Sequence, residues 1–139
     1  MKPHLAIVLL LGALGGTFGC SKDRGPDCQK LVQTVGPLHA SLTEAFGRSD
    51  QTPADLETQA LGFEKGAADL QALDVKDETV KAIASEYSGV LTQAAKVRRD
   101  MAAAGGALDP TAAGKAQASA TTLLMDETRA KARIDTTCR

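Results

Sequence analysis

The sequence has no tryptophan, one tyrosine and three phenylalanines, so aromatic residues make up only 3% of it. A core with so few large rings must be built from aliphatic side chains and alanine, which favours thin, closely spaced helices. Histidine is almost missing too: there are two, and His4 lies in the leader described below. His39 alone cannot supply a histidine-rich metal centre or a Ser/His/Asp set beside the neighbouring Pro37. No Glu-x-x-His, Cys-x-x-Cys-His or Gly-x-Ser-x-Gly run occurs, and no glycine loop of the phosphate-cradling kind; these absences remove the di-iron, attached-haem, hydrolase and nucleotide readings. An excess of positive charge is also lacking. Sixteen Lys/Arg face seventeen Asp/Glu for a net charge of −1, so the field that nucleic acid binding requires is not there. Large aliphatic side chains beyond the leader amount to about a fifth of the chain, a level seen in disordered segments. Near-zero net charge and abundant alanine tip the balance toward a helical domain.

What is there begins with an address. Met1-Lys2-Pro3-His4 is positive, Leu5 to Leu14 is apolar apart from Gly12, and Gly15 to Gly19 is small and flexible except at Phe18. That order is the pattern of a secretory signal peptide. As a helix its apolar run spans roughly 15 Å, about half of a bilayer's hydrocarbon thickness, which is too short for a stable membrane span. The segment closes on Thr17-Phe18-Gly19-Cys20, and with it the chain resembles a bacterial lipoprotein precursor. The resemblance covers only these twenty residues. It implies that a peptidase cuts before Cys20, that the Cys20 sulfur carries diacylglycerol, and that Ser21 after it directs the protein to the outer membrane, facing the periplasm. Gly19 is the small residue such a peptidase needs, although Thr17 and Phe18 depart from the usual pattern. Ordinary signal cleavage near Gly15 would instead leave Cys20 as a thiol.

Three cysteines in an exported chain leave one without a partner. Lipidation of Cys20 accounts for it, and Cys28 and Cys138 are then expected to form a disulfide. A crosslink that closes so long a loop removes roughly 4–5 kcal/mol of unfolded-chain entropy. For a thin core that is comparable with a domain's whole net stability.

The mature part reads as four helical segments. From Asp27, an expected N-cap, Cys28, Leu31, Val35, Leu38, Leu42 and Ala45/Phe46 recur at spacings of three and four, with a kink expected at Pro37. Thr52-Pro53 opens a second helix, which carries Leu56, Ala60, Phe63, Ala67 and Leu70 and ends near Leu73. Val80, Ile83, Tyr87, Val90, Ala94, Val97 and Met101 mark a third, expected to end at Gly105-Gly106. Asp109-Pro110 starts a fourth, which runs through Ala116, Ala120, Leu123, Ala130 and Ile134 to Cys138, its stripe interrupted by Glu127. Short connections predict an all-α, antiparallel up-down-up-down four-helix bundle clamped by one disulfide. The organisation is a signal peptide at 1–19, a lipidated tether at 20–27 and the bundle at 28–139. This topology puts Cys28 and Cys138 at the same end.

Chemistry is thinly represented. His39 reads as a partly exposed helix residue, and Tyr87 as core. Glu127 on the inner stripe is expected to pair with Arg129, Lys131 or an arginine of the third helix. Arg98-Arg99 and Arg129-Lys131-Arg133 read as a solvated face balanced by Asp100, Asp126 and Asp135. The expectation is therefore a non-catalytic, lipid-anchored envelope protein without cofactor. It would be held to the membrane by its N-terminal lipid and would serve binding or structural interaction, with an envelope protein as a possible partner. The alternative is a periplasmic bundle that holds haem or a small apolar ligand, with His39, Met101 and Glu127 as ligand candidates. A catalytic reading would need a polar pocket joining Glu127, His39 and Tyr87.

Overall fold

A computed structural model describes residues 24–107 and 110–139. The leader, Cys20 and the expected cap Asp109 lie outside them. Four helices follow in order: α1 (Gly25–Gly47), α2 (Pro53–Gln71), α3 (Glu78–Ala107) and α4 (Pro110–Thr137). They form the antiparallel bundle that the periodicity predicts. Contacts across the chain fix the directions. The start of α1 meets the end of α4 through Cys28–Cys138, with an S–S distance of 2.05 Å and Cα atoms 5.2 Å apart. Arg99 of α3 reaches Glu57 and Glu64 of α2, and Arg133 of α4 reaches Glu86 of α3.

The helix ends show which sequence signals acted locally and which acted across the fold. Thr52 caps α2 as expected: its side chain accepts from Asp55 N, and the Asp55 carboxylate accepts in return from Thr52 N at 2.9 Å. Such a reciprocal box satisfies two backbone donors that helix starts leave open. Asp27 differs from expectation. Pro26 lies in the first turn of α1, so the helix starts at Gly25 and Asp27 is already inside it. Its carboxylate instead accepts from the backbone N–H of Lys76 and Asp77, at 2.8 and 2.7 Å, in the connection between α2 and α3. Asp77 in turn accepts from Thr79 N and Val80 N at the start of α3 and pairs with Arg24. One aspartate therefore ties the first helix to the turn that launches the third.

Proline and glycine both lie within helices here. α1 runs unbroken through Pro37, and α3 continues past Gly105-Gly106 to Ala107. A helical glycine costs only about 1 kcal/mol relative to alanine, and the alanines on either side of this pair carry the helix across it.

α3 holds the centre of the bundle. Its expected stripe is buried as far as Val97, but so is a second one, Ala84, Ser88, Leu91, Ala95 and Arg98, each at most 2% exposed. A helix packed between two neighbours needs two apolar faces. Close approach to α2 depends on small residues: a Cβ added at Gly66 would fall 2.5 Å from Leu38 Cδ2 of α1 and 3.2 Å from Leu91 Cδ1 of α3, and Ser88 Oγ donates to Ala67 O at 3.0 Å. In the alanine-rich half of α4, Ala116 and Ala120 are buried.

Candidate functional site

The middle of the bundle contains a buried polar group that no single helix announces. Glu127 is 5% exposed, and its Oε1 accepts from the Tyr87 hydroxyl at 2.8 Å and from His39 Nδ1 at 2.6 Å. A carboxylate can only accept, so the imidazole proton that faces it sits on Nδ1. These two donors, from α3 and α1, replace the Arg129, Lys131 or α3 arginine expected as partners for Glu127. Arg129 pairs with Asp126 and Lys131 with Asp135, both on the outer face. Burial, reinforced by the hydrogen bond to Glu127 and its charge, drives the Tyr87 hydroxyl well above the usual phenol range. Tyr87 therefore serves as a fixed donor and not as an acid.

This trio brings together the three residues that a catalytic reading needs, yet it presents little chemistry to solvent. Tyr87 is fully buried and Glu127 nearly so, while the His39 side chain is 40% exposed. Only His39 offers an edge to an outside molecule. Among the described residues no group of three or more His, Cys, Asp or Glu could hold a metal ion. Of the ligand candidates, the structure joins His39 with Glu127 and leaves Met101 apart. Met101 lies fourteen residues along α3 from Tyr87, about 20 Å at the helical rise. Its sulfur instead lies 3.7 Å from Arg98 Nη1.

Arg98 differs from the expected solvated face. It is 1% exposed. Its guanidinium carbon sits 3.6 Å from the centroid of the Phe46 ring, and Nη1 donates to Gln51 Oε1 at 3.0 Å. Nε and Nη2 are buried and, among the described residues, have no hydrogen-bond partner. Desolvation lowers its pKa to about 10, which still leaves it charged at neutral pH. The signal that could have found it is the second α3 stripe, in which Arg98 follows Leu91 and Ala95 at the spacing of a core position.

Arg98 lines a cleft of about 480 Å³ at the end of the bundle opposite the disulfide, where the α1–α2 connection meets the end of α3 and the first half of α4. Elsewhere the charged surface is largely self-paired. Lys65–Asp69, Lys96–Asp100 and Lys131–Asp135 are helical neighbours four residues apart, and Arg99 bridges to Glu57 and Glu64. Among the described residues no helix is long and apolar enough to cross a membrane. No family model, curated protein or solved structure matches the chain.

Proposed function

We propose that this protein is a non-catalytic binding or structural module of the bacterial cell envelope, anchored by a lipid on Cys20 and facing the periplasm. The observation that carries the reading is the Cys28–Cys138 bond, because such structural disulfides form and persist in oxidising compartments. With those two sulfurs joined, Cys20 is the one cysteine left over, at the place where the lipoprotein-like leader ends. The non-catalytic part is supported by the polar trio: its acid and its phenol are enclosed and satisfied by each other and by His39.

The tether would join the bundle at the disulfide pole, since Cys20 precedes Arg24 by four residues and Arg24 binds Asp77 there. The opposite pole would then point away from the membrane by the length of the helices, about 40 Å for α4. Mass analysis of the mature N-terminus, coupled to crosslinking and pull-down from intact membranes, tests the proposal. A diacylated Cys20 and a specific crosslinked envelope partner are expected. An unmodified Cys20 thiol would overturn the anchor, and recovery of the chain from a reducing compartment would overturn the placement.

A further inference from the structure

The cleft at the free pole has an unusual charge arrangement. Its walls include Leu56, Met101 and Leu124, while Arg98 lies within it and Arg48 stands at its rim. Among the described residues that line it, none is acidic. Arg48 has a neighbour in Asp50 at 3.5 Å, both well exposed. Among the described residues Arg98 has no counter-ion: its contacts are a neutral amide, a thioether and an aromatic face, and two of its nitrogens have no hydrogen-bond partner. A desolvated cation without an anion is among the costliest features a fold can hold, and the Phe46 ring offsets only part of that cost.

The acceptors nearest Arg98 are weak ones: a neutral amide, which itself donates to Ala45 O at 3.0 Å, and a thioether. Gln51 belongs to the connection between α1 and α2, and Met101 has a flexible, weakly accepting side chain. A carboxylate would outcompete both as an acceptor, because hydrogen bonds between ionised partners are roughly twice as strong as neutral ones and the guanidinium fork matches a carboxylate's two oxygens. The volume falls within the range of small-molecule sites. Leu124, 38% exposed, forms an apolar lip.

We propose that this cleft binds a small amphipathic monoanion, a carboxylate whose apolar body lies on Leu56, Met101 and Leu124 while its charge is met by Arg98. A single buried guanidinium balances one negative charge, and the aliphatic walls suit a hydrocarbon better than a hydrated phosphate. The inference names a ligand class for the binding-module reading and is independent of lipidation, so loss of the anchor would leave it standing. Conversely, failure to bind would leave a protein partner for the same bundle open to the crosslinking test.

Titration of the disulfide-intact protein with octanoate, followed by amide and arginine Nε–H resonances, tests it, with octan-1-ol and inorganic phosphate as comparison probes. Saturable shifts are expected at Arg98 Nε–H and at amides around Phe46 to Leu56, Arg98 to Gly105 and Gln117 to Leu124. Octanol and phosphate should each bind at least about tenfold more weakly, the loss expected when a charged hydrogen bond or the apolar contact is removed. Arg98→Met should weaken octanoate binding about tenfold or more, and it removes a desolvated charge, so the fold should persist. Leu124→Glu, at an exposed lip where folding is not at stake, should weaken it by repulsion. Equal binding of octanol would overturn the role of charge, and equal binding of phosphate the role of the apolar walls. Absence of saturable shifts, or unchanged affinity in both variants, would overturn the site.

Discussion

At the disulfide pole, Leu31, Leu70, Val75, Val80, Ile83 and Ile134 are buried in one continuous apolar core. That core continues through Leu42, Ala45, Val97 and Ala120 toward the cleft pole, where Leu56, Ala104 and Ala116 are buried outside it and the largest enclosed side chain is that of Arg98. The first pole is also tied across the sequence by Cys28–Cys138, by Asp27 on the Lys76 and Asp77 amides, and by Arg24 on Asp77. The second has no covalent clamp: Thr52 and Asp55 close the start of α2, Gln51 joins Arg98 to Ala45 O, and Arg99 bridges on the surface to Glu57 and Glu64. The contrast teaches that a thin helical bundle can place its covalent clamp and its inter-helix backbone ties at one end and keep a cleft with a buried guanidinium at the other.

Opening the disulfide should have the largest effect on this contrast. Cys28→Ser with Cys138→Ser should cost roughly 4–5 kcal/mol and lower Tm by about 15–20 °C, read by thermal melts against the oxidised protein. An unchanged Tm would show that the closed pole needs no clamp. Next comes the polar trio between the poles. Glu127→Ala leaves the Tyr87 hydroxyl buried without an acceptor and should cost about 2 kcal/mol in denaturant unfolding, whereas Glu127→Gln keeps an acceptor and should cost less. If the two variants are equally destabilised, the hydrogen bonds to Oε1 are not what holds that layer together.

The sequence made one side of this contrast readable and hid the other. Three-and-four spacing reveals any helix face buried against a single neighbour, so the stripes of all four helices and the shared end of Cys28 and Cys138 could be read directly. The second face of α3 was not legible, because Ala84, Ser88 and Ala95 are too small or too polar to mark a stripe, and an arginine at its end looks like surface. Glu127 was visible as an interruption, but its partners lie 40 and 88 positions away. The three could be named together as the scarce polar candidates, but no local pattern shows that the packing of α1, α3 and α4 joins them. Asp27 misled for a related reason: a carboxylate near a helix start is equally suited to capping that helix or another segment's amides.

Acid should affect the poles unequally. The backbone N–H groups of Asp77 and Lys76 hold the Asp27 carboxyl below its ordinary range, and the Val80 N–H, with Arg24, does so for Asp77. Lowered carboxyl pKa values stabilise the fold fully above the usual aspartate value, about pH 4, and that contribution is lost as pH falls through the lower folded values. The tie between α1 and the α2–α3 connection should therefore loosen below about pH 4. Asp55, lowered by its bonds to Thr52, should release only the first turn of α2. Asp27→Asn should reduce the acid dependence of unfolding, and an unaltered pH profile would remove Asp27 from the account.

The smallest effects concern packing. Gly66→Ala pushes a Cβ against Leu38 Cδ2 at 2.5 Å and Leu91 Cδ1 at 3.2 Å and should cost about 1 kcal/mol. At Gly89, exposed and with nothing within 4 Å, alanine should stabilise by about 0.5–1 kcal/mol. Opposite signs in the two melts would show that α2 packs against α1 and α3 through the missing side chain of Gly66.

Residue-resolved amide hydrogen exchange on the oxidised protein tests the unequal poles most directly. The account predicts that amides of Leu31, Val80 to Ala84 and Ile134 exchange only through global unfolding, while those of Met101 to Gly105 and Ala112 to Ala116 open at markedly lower free energy. Uniform protection along α3 and α4, or stronger protection at the cleft end than beside the disulfide, would contradict it.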